Sequence, residues 1–170
     1  MEFQSTEDTI DHRAVSLIAL IVSLFVVVGA DLYGQIVVAW TTLEAPPRSL
    51  RMLQGEYALD SKRFWQVFTT IPLFLFAWSI VTNWKTRRRP LLLTAFIAFF
   101  VINALSFPFV FGEYLDIVSA DYRDVIDPEL SSRGAAWKRL ALVRCAVVTA
   151  VGLLPLVALA RRTHRGTSRL

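Results

Sequence analysis

Asp31 and Arg144 each interrupt a long apolar run, in the segments Gly-Ala-Asp-Leu-Tyr-Gly and Leu-Val-Arg-Cys-Ala-Val. A carboxylate in an apolar setting can take a proton from a bound molecule, and a guanidinium can hold a developing oxyanion. Together they can also neutralise one another. Gln35 follows Asp31 by one helical turn on the same face, Tyr33 lies between them, and Asn103 interrupts a third apolar run. Amide and phenol groups of this kind orient a ligand by hydrogen bonds.

Other chemistries lack their residues. The two histidines, His12 and His164, lie outside the apolar runs, and Cys145 is the single cysteine. An intrachain disulfide is excluded, and neither a His- or Cys-based metal centre nor a Ser-His-Asp triad is expected among the apolar runs. No Walker loop, GxGxxG turn, haem attachment motif or HExxH occurs. We expect no metal and no cofactor, so catalysis here would rest on positioning, proton transfer and hydrogen bonding.

Four elements must carry these residues: the apolar runs Ala14–Trp40, Phe64–Trp84, Leu91–Phe111 and Trp137–Ala160. Each exceeds the roughly 20 residues that span about 30 Å of hydrocarbon at 1.5 Å per residue. Hydrophobic residues make up 55% of the 170-residue chain, above the roughly 45–50% of soluble domains. A small soluble core has no room for four such runs. Lipid offers the backbone no hydrogen bonds, so the runs should be helical despite many Val, Ile, Phe and Thr residues. The expected fold is all-α: a four-helix transmembrane bundle over residues 14–160, between tails 1–13 and 161–170. The start of the chain holds Glu2, Glu7, Asp8 and Asp11, unlike the basic opening of a secretory signal, so the first helix should be retained.

Charge suggests the orientation. Lys85, Arg87, Arg88 and Arg89 fill the tight connection between the second and third runs, and Arg161, Arg162, Arg165 and Arg169 follow the fourth. Under the positive-inside rule these clusters share the cytoplasmic side, with both termini, in a multi-pass protein of the plasma (inner) membrane. The same placement explains the net charge of +4 as a topology signal, and no nucleic-acid partner is expected. Segments 41–63 and 112–136 then lie outside. Trp40, Trp65, Trp84 and Trp137 stand at the expected helix ends, where indoles suit the headgroup layer. Pro72, Pro108 and Pro155 lie within spans as kinks or as ordinary membrane-helix prolines. Leu50 to Arg63, with Leu50, Leu53, Tyr57 and Phe64 at helical spacing, should form an interfacial helix.

With Trp40 and Trp137 as outer anchors, Asp31 lies about 13 Å deep and Arg144 about 10 Å deep. Either charge alone would cost roughly 2.5–3.5 kcal/mol near a helix centre, so the two should pair. Asp31, Arg144, Asn103, Gln35 and Tyr33 could then line a polar pocket open toward the outer leaflet. Equally, these groups could simply bond helices together, or Arg144 could snorkel toward the headgroups. Glu113, Glu56, Tyr57 and Asp60 form either the mouth of that pocket or a solvated face.

Three segments resemble a known family. Gly29–Tyr33 followed by Glu44-Ala45-Pro46-Pro47-Arg48, the pair Asn103 and Pro108, and the stretch Trp137–Arg144 are similar to motifs of the anthrone oxygenase-like family of small four-helix membrane proteins. Ala45 stands where that family's turn carries histidine. The resemblance covers most of Gly29–Ala160 and implies the four-helix fold. It also implies cofactor-free oxygenation; if this chain oxidises an aromatic substrate, Asp31 would be base or charge partner, Arg144 would hold the oxyanion, and Asn103 and Gln35 would orient. Two functions follow. One is a membrane protein that binds a lipophilic small molecule and acts on it as a cofactor-free oxygenase. The other is a non-enzymatic assembly subunit, whose segments Leu50–Arg63 and Gly112–Ala136 bind a membrane-protein partner, because a 25-residue connection is longer than neighbouring helices need. Transport is less favoured, since no inverted repeat is present. Membrane lipids are partners in every case.

Overall fold

The computed structural model describes residues 11–58 and 62–161. Glu2, Glu7, Asp8, Asp60, Arg162, His164, Arg165 and Arg169 lie outside them. The described residues contain no strand. Their architecture is four helices: α1 His12–Thr42, α2 Lys62–Thr82, α3 Arg89–Val118 and α4 Pro128–Ala160. All four are long and apolar enough to cross a membrane.

The helix starts follow from local chemistry. The Asp11 carboxylate accepts from the Arg13 N–H at the start of α1. Asp127 accepts from the N–H groups of Glu129 and Leu130 at the start of α4, with Pro128 in the first turn, where its missing N–H leaves no bond unmade. This cap starts α4 nine residues before Trp137, where the sequence places the span. At the other boundary, α3 runs past Phe111 to Val118. Phe107–Phe111 wind as a π-helical turn that takes in Pro108, which has no N–H to donate, and the α-helix resumes at Gly112. A second π-helical turn occupies Gly34–Ala39 of α1. The expected 25-residue connection therefore shrinks to the short segment between Val118 and Pro128.

The helices pack in ring order. α1 lies against α2 and α4, while α3 lies against α4 and α2. One apolar cluster fills the end nearer the α2–α3 turn, with Leu17, Leu20 and Leu24 of α1, Phe76 of α2, Leu92 and Phe99 of α3, and Val148 and Val151 of α4. A second fills the long-loop end, with Ala39, Leu43, Leu50, Val110, Ile117, Trp137 and Ala141. Outward surfaces are apolar as well: Phe74, Val81 and Phe107 are each more than 70% exposed. In water such a surface would associate, whereas lipid tails solvate it.

Each end is tied. At the short turn, Ser79 donates to the Ser16 carbonyl at 3.0 Å and the Ser16 and Thr82 hydroxyls bond at 2.9 Å. Arg88 folds inward and donates to the carbonyls of Leu159 and Arg161, capping α4. At the other end the Asp127 N–H donates to the Pro46 carbonyl at 3.0 Å, and Gln54 donates to the Ala120 carbonyl at 2.9 Å. Gly134 lets α4 approach Leu43, because a Cβ there would lie 3.3 Å from the Leu43 side chain.

Two further expectations change. In place of the interfacial helix from Leu50 to Arg63, a 3-10 helix spans Arg48–Leu53 and the chain then extends at Gln54. Leu50 is drawn into the core while Tyr57 is 93% exposed, so the two never share an apolar stripe; residues 59–61 lie outside the described set. Trp40 and Trp84 are about half exposed, as interface anchors should be, but Trp137 is buried. Its indole N–H donates to the Val110 carbonyl at 2.6 Å and its ring lies 4.8 Å from that of Tyr114. With α4 begun early, Trp137 sits inside the helix and joins α4 to α3.

Candidate functional site

Between the two apolar clusters lies one polar layer. On α1 it falls between Val28 and Ala39, on α3 between Phe99 and Val110, and on α4 between Ala141 and Val148. Asp31, Asn103 and Arg144, expected from sequence to converge, meet there. Arg144 donates from Nη1 to Asp31 Oδ2 at 2.7 Å and from Nη2 to Asn103 Oδ1 at 3.4 Å. Its Nε donates to Ser106 Oγ at 3.0 Å. The Asp31 and Arg144 side chains are only 8% and 9% exposed.

Ser106 was missed by the sequence reading. It lies one turn from Asn103 on the same face of α3, so the i, i+3 spacing carried the signal. Both side chains are held by their own helix: Asn103 donates to the Phe99 carbonyl at 2.8 Å and Ser106 to the Ile102 carbonyl at 2.6 Å. They therefore turn acceptor lone pairs toward Arg144. The guanidinium also sits 5.2 Å from the ring centre of Phe111, in the α3 π turn.

Gln35 and Tyr33 part company. Gln35 is buried in the α1 π turn, one turn beyond Asp31, and its Oε1 finds no hydrogen-bond donor among the described residues. Tyr33 is 62% exposed. Two residues along a helix turn the side chain about 200°, so Tyr33 points away from the face that carries Asp31. The structure does not bring it to the layer.

The layer as it stands is closed. Each guanidinium nitrogen of Arg144 already has an oxygen partner, so three of its five N–H groups are engaged, and a substrate oxyanion would take a remaining Nη–H or displace a present partner. The Asn103 contact is the longest and the easiest to give up. Two surface grooves, near Ser23 and Phe68 and near Trp40 and Arg139, are lined by none of these residues. Among the described residues no three His, Cys, Asp or Glu side chains group to hold a metal ion. At the long-loop end Arg133 bonds Glu113 at 2.8 Å and also Asp116, tying α4 to α3. Glu113 is thus engaged in a tertiary ion pair, while Glu56 and Tyr57 are exposed.

Comparison with protein-family models, with curated proteins and with solved structures finds no match to this chain.

Proposed function

We propose that this chain is a multi-pass protein of the plasma membrane, with both termini cytoplasmic, that binds a lipophilic small molecule through the polar layer around Arg144. The orientation is supported by the basic residues Lys85, Arg87 and Arg89 at the short turn, next to Arg161 at the end of α4. Binding is supported above all by one observation: a desolvated Asp31–Arg144 pair lies beside two π-helical turns, with the buried Gln35 Oε1 finding no donor among the described residues. Intramembrane ionisable groups and π turns both concentrate at functional sites.

A ligand carbonyl or phenolate oxygen replaces Asn103 on Nη2 of Arg144, and a ligand hydroxyl donates to Gln35. Access is gained through local opening at the π turns, where helical hydrogen bonding is already irregular. Oxidation is supported by the family resemblance alone. In that version Asp31 takes a proton from a methylene C–H conjugated to a ring carbonyl, Arg144 holds the resulting oxyanion, and dioxygen adds at that carbon to give a hydroperoxide that loses water to leave a second carbonyl.

Mass spectrometry of the detergent-purified protein tests this reading. A co-purifying lipophilic molecule should be present in the wild type and lost in Asp31→Asn and Arg144→Ala. Unchanged ligand content in both variants would remove the site. It would shift weight to a second reading, a non-enzymatic assembly subunit. That alternative is favoured by the apolar side chains on the long-loop end, Tyr57, Tyr122, Val125 and Ile126, all 45% exposed or more.

A further inference from the structure

A groove of about 380 Å³ lies where the end of α1 meets α4, lined by Trp40, Ala135, Lys138, Arg139 and Leu142. The four α4 residues fall at i, i+3, i+4 and i+7, so they form one helical face opposite the Trp40 indole. Two cations stand on that face, at the end of the bundle away from the Arg-rich turn. Arg123, Arg133 and Arg144 all pair with carboxylates, but Lys138 and Arg139 pair with none among the described residues. Each makes only a long contact: Lys138 Nζ to the Leu43 carbonyl and Arg139 Nε to the Ala135 carbonyl, both 3.4 Å.

Two cations without carboxylate partners beside a half-exposed tryptophan suit an anion at the depth of the headgroups. We infer that this groove seats the headgroup of an anionic phospholipid from the leaflet at the long-loop end. The phosphate lies between Lys138 and Arg139, the indole of Trp40 packs on the glycerol region, and the acyl chains follow the exposed Leu142, Val143 and Val147 along α4. The volume falls in the range of small-molecule sites. The site is separate from the Arg144 layer, so the two can fail independently.

The test uses the full chain in neutral detergent, with photo-crosslinkable phosphatidylglycerol or phosphatidylcholine and mapping of the labelled peptides. Phosphatidylglycerol should label the Trp40 peptide and the 135–142 peptide in preference to phosphatidylcholine. Arg139→Gln, at an exposed side chain, should weaken that labelling roughly fivefold, and Lys138→Gln/Arg139→Gln roughly thirtyfold. If the double variant fails to fold, Arg139→Glu serves in its place and should abolish labelling. Lys85→Gln/Arg87→Gln at the opposite end should leave these peptides labelled, and millimolar glycerol phosphate, which lacks acyl chains, should not compete. Equal labelling by both lipids, undiminished labelling in Arg139→Gln and Arg139→Glu, or displacement by glycerol phosphate would each overturn the assignment.

Discussion

Replacing Arg144 by Met keeps the length of the side chain but strands Asp31 as an uncompensated carboxylate between two apolar clusters. Three hydrogen bonds disappear at once, to Asp31, Ser106 and Asn103. Because both charged side chains are more than 90% buried, solvent screening cannot rescue the survivor. Breaking a buried pair by removing one partner costs about 3–5 kcal/mol. Asp31→Leu should cost less, roughly 2.5–3.5 kcal/mol, since Arg144 keeps Ser106 and Asn103. The double variant Asp31→Leu/Arg144→Met removes both charges, and replacement of a buried pair by apolar residues is often close to neutral. It should therefore be more stable than either single variant. Unfolding in mixed micelles titrated with dodecyl sulfate, run as a double-mutant cycle, measures the coupling. Additive costs, with the double variant as unstable as the sum of the singles, would refute the argument that the two charges depend on each other.

Three further outcomes follow from other parts of the fold. Trp137→Phe keeps the ring but leaves the Val110 carbonyl without its buried donor, and should lower stability by about 1–3 kcal/mol in the same assay. Arg88→Gln withdraws the charged cap from the last carbonyls of α4. It should loosen that helix end by about 1–2 kcal/mol, read as faster amide exchange near Leu159. Asp127 has its pKa held below the ordinary value of 3.8 by hydrogen bonds from the Leu130 and Glu129 N–H groups and by Arg123. A depressed carboxylate stabilises the fold above its unfolded value, and that stability drains away as pH falls through the folded value. The protection factor of the Leu130 amide should therefore fall only below about pH 4, and Asp127→Asn, which can still cap, should flatten the dependence.

The four helices were legible because lipid leaves the backbone no alternative, so hydropathy alone decides their number. Their ends were less legible. The apolar run of α4 begins only at Trp137, although Asp127-Pro128-Glu129 carries a capping residue and a first-turn proline that mark a helix start. The continuation of α3 past Phe111 depends on a π turn, and the pattern of hydrophobic residues has no signature for one. Convergence of Asp31 with Arg144 was readable from matched depth, since two charges in lipid have few other ways to be neutralised. Which neighbours joined them was not, because that depends on how α1 and α3 rotate about their axes. Rotation put Ser106 in the layer and Tyr33 outside it. Arg88 belongs to the basic cluster that signals topology, and nothing in the run from Lys85 to Arg89 distinguishes the one residue that turns inward.

The arrangement of the helices across the bilayer underlies the whole account, and site-directed thiol labelling tests it. On a Cys145→Ala background, single cysteines at Arg87 and at Arg161 should react with a membrane-impermeant maleimide only from the cytoplasmic face. Cysteines at Tyr57 and Tyr122 should react only from the other. Labelling of Arg87 and Arg161 from opposite faces would contradict an even number of crossings and take the buried Asp31–Arg144 layer with it.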